Sequence, residues 1–383
     1  MGTFRCLGIA VWLVAACTAQ SVAVDLEPLL KTLQAVGPKG AGNRQAAQAW
    51  EELVRADAAQ LPTMLAALDQ AQPLAANWIR CAVDAIAARE LRGGGTLPQA
   101  ELERFLLDTE HVPRARRLAY EWLVRVDPTA EKRLISGMLD DPSVELRRDA
   151  VAQLIDKAAA LAATNLRLVP DPAASEVVAT YRRALHAARD LDQIGLLAAR
   201  LKDLGQEVDL PRHFGFLLRW KLIGPFDNTG ENGYAVVYPP EQKIDPEASY
   251  PGKRGPIQWI DYQSDHEHGR VDFNQAFGEE KDVVAYAVAE FISAAEQEVE
   301  FRVASDDAVK LWLNGTLIDE HNVYHAGSQM DQYTCRATLK TGRNVILIKA
   351  CQNNQPEEWA RGWSFQLRVC DATGGAILST DRE

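Results

Sequence analysis

The residues best equipped for chemistry lie in the last third of this 383-residue chain. Trp359 and Trp363 flank a loop that holds Asn353, Asn354, Gln355, Glu357, Glu358 and Arg361, and Trp259 stands upstream. Aromatic faces beside amides, carboxylates and a guanidinium can hold a ligand that has both C–H and hydroxyl surfaces. The competing reading starts a core strand at Trp363 and lays Trp359 over a sheet edge. Asp306 and Asp307 are adjacent carboxylates. His266, Glu267 and His268 form the one compact histidine cluster. On a strand its two histidines would share a face and could ligate a metal, but the polar segment Ser264 to Arg270 reads as an exposed turn with no ligand role. The sequence contains no G-x-S-x-G elbow, phosphate loop, H-E-x-x-H helix or G-x-G-x-x-G turn. Gly93, Gly94 and Gly95 follow no strand pattern and suit a flexible loop. Any two acidic residues can meet in space to hydrolyse a glycoside, but no catalytic residue is assigned.

Two kinds of element must position these groups. Over residues 26–206, apolar residues recur at three- and four-residue intervals, as helices require. Leu134, Ile135, Met138 and Leu139 form one stripe, Asp140 to Ser143 break it, and Leu146, Ala150, Val151, Leu154 and Ile155 resume it. Asp or Ser caps the second helix, and Pro is tolerated at its start because the missing N–H is not needed there. Aligned on Leu-Asp pairs at 68, 107 and 139, successive units start 39 and 32 residues apart. That spacing fits helix pairs with unequal loops. Residues 45–160 resemble HEAT repeats, most closely from Leu134 to Ile155, where a small residue follows a basic pair (Arg147, Arg148, Ala150). The resemblance implies an α-solenoid over 26–206, serving as a binding surface or a spacer. Arg114, Arg116 and Arg117 read as a solvated helix face.

From Phe214 onward short alternating runs are separated by Gly, Pro, Asn and Asp, the pattern of an antiparallel β-sandwich. Strands are expected over 216–223, 283–291, 298–304, 309–313, 316–318, 332–339, 344–350 and 363–369, with a tight hairpin at Asn314-Gly315. Residues 215–378 resemble the jelly-roll, galactose-binding-like modules of exported bacterial proteins. Trp220 to Asn228 is similar to the W-x-x-x-G-P-F opening of that module, and Ser305 to Gly315 to its S-D-D hairpin. Gly342 to Lys349 is similar to its G-x-N strand. Such modules commonly bind sugars at loop tips, which makes Trp259, Asn353, Asn354, Trp359, Arg361 and Trp363 the candidate ligand residues. In protective-antigen-type lectin domains a similar D-D-G hairpin holds calcium, so Asp306 and Asp307 are candidate metal ligands. Here Ala308 replaces the glycine, and carboxylates that bond turn amides are the preferred reading. No other cofactor is expected.

At the N-terminus Arg5 and the apolar run Cys6 to Ala16 read as a secretion signal over residues 1–19. Cleavage before Gln20 competes with a resemblance of Val14 to Cys17 to a bacterial lipobox (signal 1–16), which would lipidate Cys17 and anchor the chain to a membrane. The remaining cysteines, 81, 335, 351 and 370, show no C-x-x-C spacing and read as small half-buried thiols. The chain carries 41 basic against 53 acidic residues, a net −12 that argues against nucleic acid. The imbalance is −10 over residues 213–383 (16 against 26) and −2 over 1–212 (25 against 27), which favours a neutral glycan, a cation or a basic surface over an anionic polysaccharide. The expected function is a non-catalytic exported binding or scaffold protein, periplasmic, extracellular or lipid-anchored, with carbohydrate or an envelope protein as partner. The alternatives are a polysaccharide hydrolase or lyase with its site at the domain seam, and an envelope assembly factor without a small ligand.

Overall fold

The computed structural model describes residues 24–164 and 172–381. The expected signal and Cys17 lie outside them. The chain is a mixed helical and antiparallel-sheet protein that divides into two compact units, Met1–Leu134 and Ile135–Glu383. The change from helix to strand comes between the short helix Leu210–Phe214 and Arg219. By compactness, however, the helices Val144–Thr164, Pro172–Ala187 and Leu191–Asp203 belong with the sheets.

In the first unit, Pro at the first turn opens the helices Pro73–Arg92 and Pro113–Val126, where the absent N–H costs no helix bond. Leu33, Leu53, Leu65, Ile79, Ile86, Leu106, Leu118 and Leu123 fill the core. The expected solvated face holds in part: Arg114 is exposed and Arg117 half-buried, but Arg116 is not on it. Arg116 is 1% exposed and its Nε donates to Leu106 O at 2.7 Å, while Arg114 Nη2 donates to Leu68 O at 2.7 Å and also to Ala71 O. Arg89 makes the same kind of bond to Val54 O and Ala56 O. Arg116 thus caps a carbonyl in the last turn of the helix Gln99–Leu107, where the dipole also favours a cation, while Arg114 and Arg89 bond carbonyls of the turns that follow helices.

The second unit contains twelve strands among its described residues. They are β1 (Arg219–Asp227), β2 (Ser249–Pro251), β3 (Pro256–Gln258), β4 (Ile260–Gln263), β5 (Val271–Asp272), β6 (Val283–Ser293), β7 (Gln297–Ser305), β8 (Val309–Leu313), β9 (Thr316–His321), β10 (Tyr333–Leu339), β11 (Gly342–Gln352) and β12 (Ser364–Cys370). A six-stranded sheet runs β4-β1-β6-β11-β8-β9, a four-stranded sheet runs β10-β7-β12-β5, and β2 pairs with β3. Leu222, Ala287, Leu311 and Ile348 of the larger sheet share one core with Phe301, Val303, Phe365 and Leu367 of the smaller, so the sheets face each other. Asn314 and Gly315 both take positive φ (53° and 83°), the conformation a two-residue β8–β9 hairpin needs.

The larger sheet also buries part of its outer face. Phe226, Tyr286, Trp312 and Leu347 project there and are covered by Tyr234, Tyr238, Ile244 and Trp259 from the long segment between β1 and β4. Lys349, fully buried, clamps that segment. Its Nζ donates to Tyr234 O (3.1 Å), Val236 O (2.7 Å) and Glu241 Oε1 (2.8 Å). With its outer face covered at one end, the sheet leaves a rim of loops there and bare strands at the other.

Candidate functional site

The rim gathers the end of β1, the start of β6, the turn between β7 and β8, and the β9–β10 and β11–β12 loops. The structure separates the three tryptophans. Trp363 is 1% exposed, lies against Phe273 in the core and donates Nε1–H to Ala350 O at 3.3 Å, so it has no face open to a ligand. Trp259 packs on the outer-face cluster and its buried Nε1 has no partner. Only Trp359 stands at the rim, 67% exposed, with its ring edge-on to His325 at 5.3 Å between centroids. Asn354 and Arg361 are exposed in the same loop, whereas Asn353 is buried.

A hydrogen-bonded chain runs beneath Trp359. Asn353 Nδ2 donates to Glu231 Oε1 at 3.0 Å, and Asn353 Oδ1 accepts from Gln355 N–H at 3.1 Å. A carboxylate can only accept and a backbone N–H can only donate, so these two bonds fix the amide orientation. His325 Nε2, 2.9 Å from that same Oδ1, must therefore be the donor. Its other nitrogen, Nδ1, lies 3.1 Å from Asp307 Oδ1, which also accepts from His325 N–H at 2.8 Å. With Nε2–H fixed, a proton must sit between Nδ1 and Asp307. Asp307 is 2% exposed and its Oδ2 has no partner, so the neutral acid is favoured over a buried ion pair. Burial, reinforced by the Asp306 charge, pushes the Asp307 carboxyl up to about 7.

The adjacent carboxylate has different partners. Asp306 Oδ2 accepts from Ser364 Oγ at 2.6 Å and from Arg270 Nη2 at 3.2 Å. Gly362 leaves it room, since a Cβ there would lie 2.9 Å from that oxygen. The Arg270 guanidinium already supplies positive charge beside Asp306. Among the described residues no group of three or more His, Cys, Asp or Glu side chains is placed to hold a metal. In the histidine cluster, His268 N–H donates to His266 Nδ1 at 3.1 Å within a turn. Lys281 Nζ donates to Ala360 O at 2.7 Å, tying the turn before β6 to the Trp359 loop, and burial pulls its ammonium down.

Sequence reasoning missed His325, Glu231 and Lys281. His325 lies 18 residues from Asp307 and 28 from Asn353 in a loop without periodicity. Its one local mark, a positive φ of 55°, belongs to the fold and is not written in the residue type.

No protein-family model matches the chain, and no curated protein matches it. Among solved structures, a β-glucosidase from Kluyveromyces marxianus in complex with glucose is 16% identical at a TM-score of 0.23, covering 30% of this chain and 14% of that one. An anti-sigma factor domain-containing protein from Clostridium clariflavum is 14% identical at 0.25, covering 43% and 45%. A β-glucuronidase from an uncultured Clostridium species is 9% identical at 0.27, covering 41% and 29%. The match thus spans less than half of each of these proteins. At such TM-scores neither fold nor function is inferred from them.

Proposed function

We propose that the chain is a non-catalytic exported binding and scaffold protein. Its two-sheet domain, read as a galactose-binding-like jelly-roll, binds carbohydrate at the rim around Trp359, and its HEAT-like solenoid helices mediate protein contact. Export rests on residues 1–19. The observation that carries the binding reading is the position of Trp359: a large aromatic, 67% exposed, braced by His325, in the same loop as the exposed Asn354 and Arg361. An indole face supplies the apolar platform a sugar ring stacks on, and the flanking amide and guanidinium supply hydroxyl partners. Glu231, Glu357 and Glu358 near the site favour a neutral sugar over an acidic one.

A hydrolase reading requires a protonated acid that touches the leaving group. Asp307 holds a proton near neutral pH, but at 2% exposure it lies too deep for that contact. The test is a neutral-glycan array followed by calorimetry on the best hit. W359A is expected to weaken binding roughly fivefold to tenfold, the range of one lost stacking contact, with no sugar released from the ligand. Unchanged affinity in W359A, or turnover of the glycan, would overturn the proposal.

A further inference from the structure

The uncovered end of the six-stranded sheet holds a groove of about 610 Å³, away from the rim. Its floor is Val288 on β6 and Val345 on β11, diagonal to each other in the register, and Ile244 forms one wall. It crosses the sheet from Asp261 on β4 to Asn314 at the end of β8. That is five strands, or about 19 Å at the usual inter-strand spacing of about 4.8 Å.

The groove has the opposite charge balance to the segment around it. Arg219, Lys221, Lys340 and Arg343 line it against only Asp261 and Glu290. Both acids are already engaged: Lys221 Nζ lies 2.7 Å from Asp261, and Arg343 Nη2 lies 2.5 Å from Glu290. Among the described residues, the Arg219 guanidinium and the Lys340 ammonium have no hydrogen-bond or ion-pair partner. They belong to different sides of the floor, Arg219 to β1 and Lys340 to the turn that leads into β11. Two unpaired cations on either side of an apolar floor fit an extended ligand with anionic groups along its length.

The backbone excludes one mode of binding. β1, β6 and β11 are interior strands whose ladders are paired on both sides, so a peptide lying across them finds no free N–H or C=O to extend. Recognition must come from side chains, and a chain with stiff, regularly spaced carboxylates loses less entropy on binding than a disordered acidic peptide. We infer that this groove is a second binding site, for an acidic oligosaccharide that carries carboxylates. The −10 balance of residues 213–383 disfavours such a ligand for the domain as a whole. The groove is the local exception.

The test uses the full chain and calorimetry with tetragalacturonate, its fully methyl-esterified form and tetraglutamate. Tetragalacturonate is expected to bind and to weaken as salt rises, and neither of the others to bind comparably. R219Q/K340Q should lose affinity by roughly fivefold or more, R219K/K340R should retain most of it, and W359A should bind like wild type. Absence of tetragalacturonate binding, equal binding of the ester or of tetraglutamate, or an unaffected R219Q/K340Q would overturn the inference. Loss of binding in W359A would do the same by assigning the acidic sugar to the rim.

Discussion

Replacing Asp307 by Asn probes the buried proton. The wild-type carboxyl is 2% exposed and burial raises it from an ordinary 3.8 to about 7. Because the folded value lies above the unfolded one, the fold carries no penalty from this group below about pH 4. The penalty grows as pH rises, because the unfolded chain releases its proton first, and it is complete once the native carboxyl also ionises, above about pH 7. About three pKa units at about 1.4 kcal/mol each set a ceiling of about 4 kcal/mol, of which about 2 to 3 kcal/mol falls between about pH 5 and pH 8. In D307N the amide oxygen can still accept the His325 N–H, but nothing at the position ionises. The assay is urea unfolding of the full chain across that pH range, wild type and D307N side by side, followed through the sheet-derived dichroism. Subtracting the two curves cancels the titrating groups that do not face residue 307, so D307N should gain about 2 to 3 kcal/mol on wild type from the acid end to the alkaline end. A difference that stays flat to within about 0.5 kcal/mol would refute both the raised carboxyl and the shared-proton geometry from which it follows.

Three further outcomes are expected. K349M should cost about 3 to 5 kcal/mol, since it leaves Glu241 and two carbonyls without their buried cation; urea midpoints check this, and the double variant K349M/E241L should recover part of the loss. G269A should destabilise by about 1 to 3 kcal/mol, because Gly269 has φ +61° and an added Cβ would lie 2.5 Å from Phe216 Cβ; thermal melting reads the loss. Of the cysteines at 81, 335, 351 and 370, exposed Cys81 should alkylate first under native conditions, while burial pushes Cys335 and Cys351 up to about 12 and Cys370 to about 11 and slows them; mass mapping after a short iodoacetamide pulse distinguishes them.

Strands long enough to alternate were legible in the sequence. In β11, Ile346, Ile348 and Ala350 face the shared core while Leu347, Lys349 and Cys351 face outward, and that period of two is written in the residue types. β2 to β5, only two to four residues each, escaped because so short a run carries no period; they form where partners meet them, β2 with β3, β4 with β1 and β5 with β12. Arg116 escaped for a different reason. A basic run on a helix has the same composition whether water or the carbonyl end of a neighbouring helix receives it, and only the packed pair distinguishes the two.

The same distinction governs the site. Trp359 and Trp363 are four residues apart in one loop, yet one is 67% exposed and the other 1%. Trp363 directly precedes β12 and faces the core between the sheets, whereas Trp359 sits on the short helical turn Glu358–Ala360 within the loop. Residue type marks both as aromatic anchors, and register decides which can meet a ligand. His325 is the converse case, a residue with no pattern around it that becomes the brace of the exposed indole because β7, β9 and β11 all end at the same rim. Charge follows this logic too. A net −10 over residues 213–383 is a sum, and a sum cannot show that Lys221 and Arg343 neutralise the two acids of one groove while Arg219 and Lys340 stay unpaired. Ligand preference is set where the charges stand, so a domain acidic on average can hold a neutral sugar at its rim and an acidic one on its bare sheet.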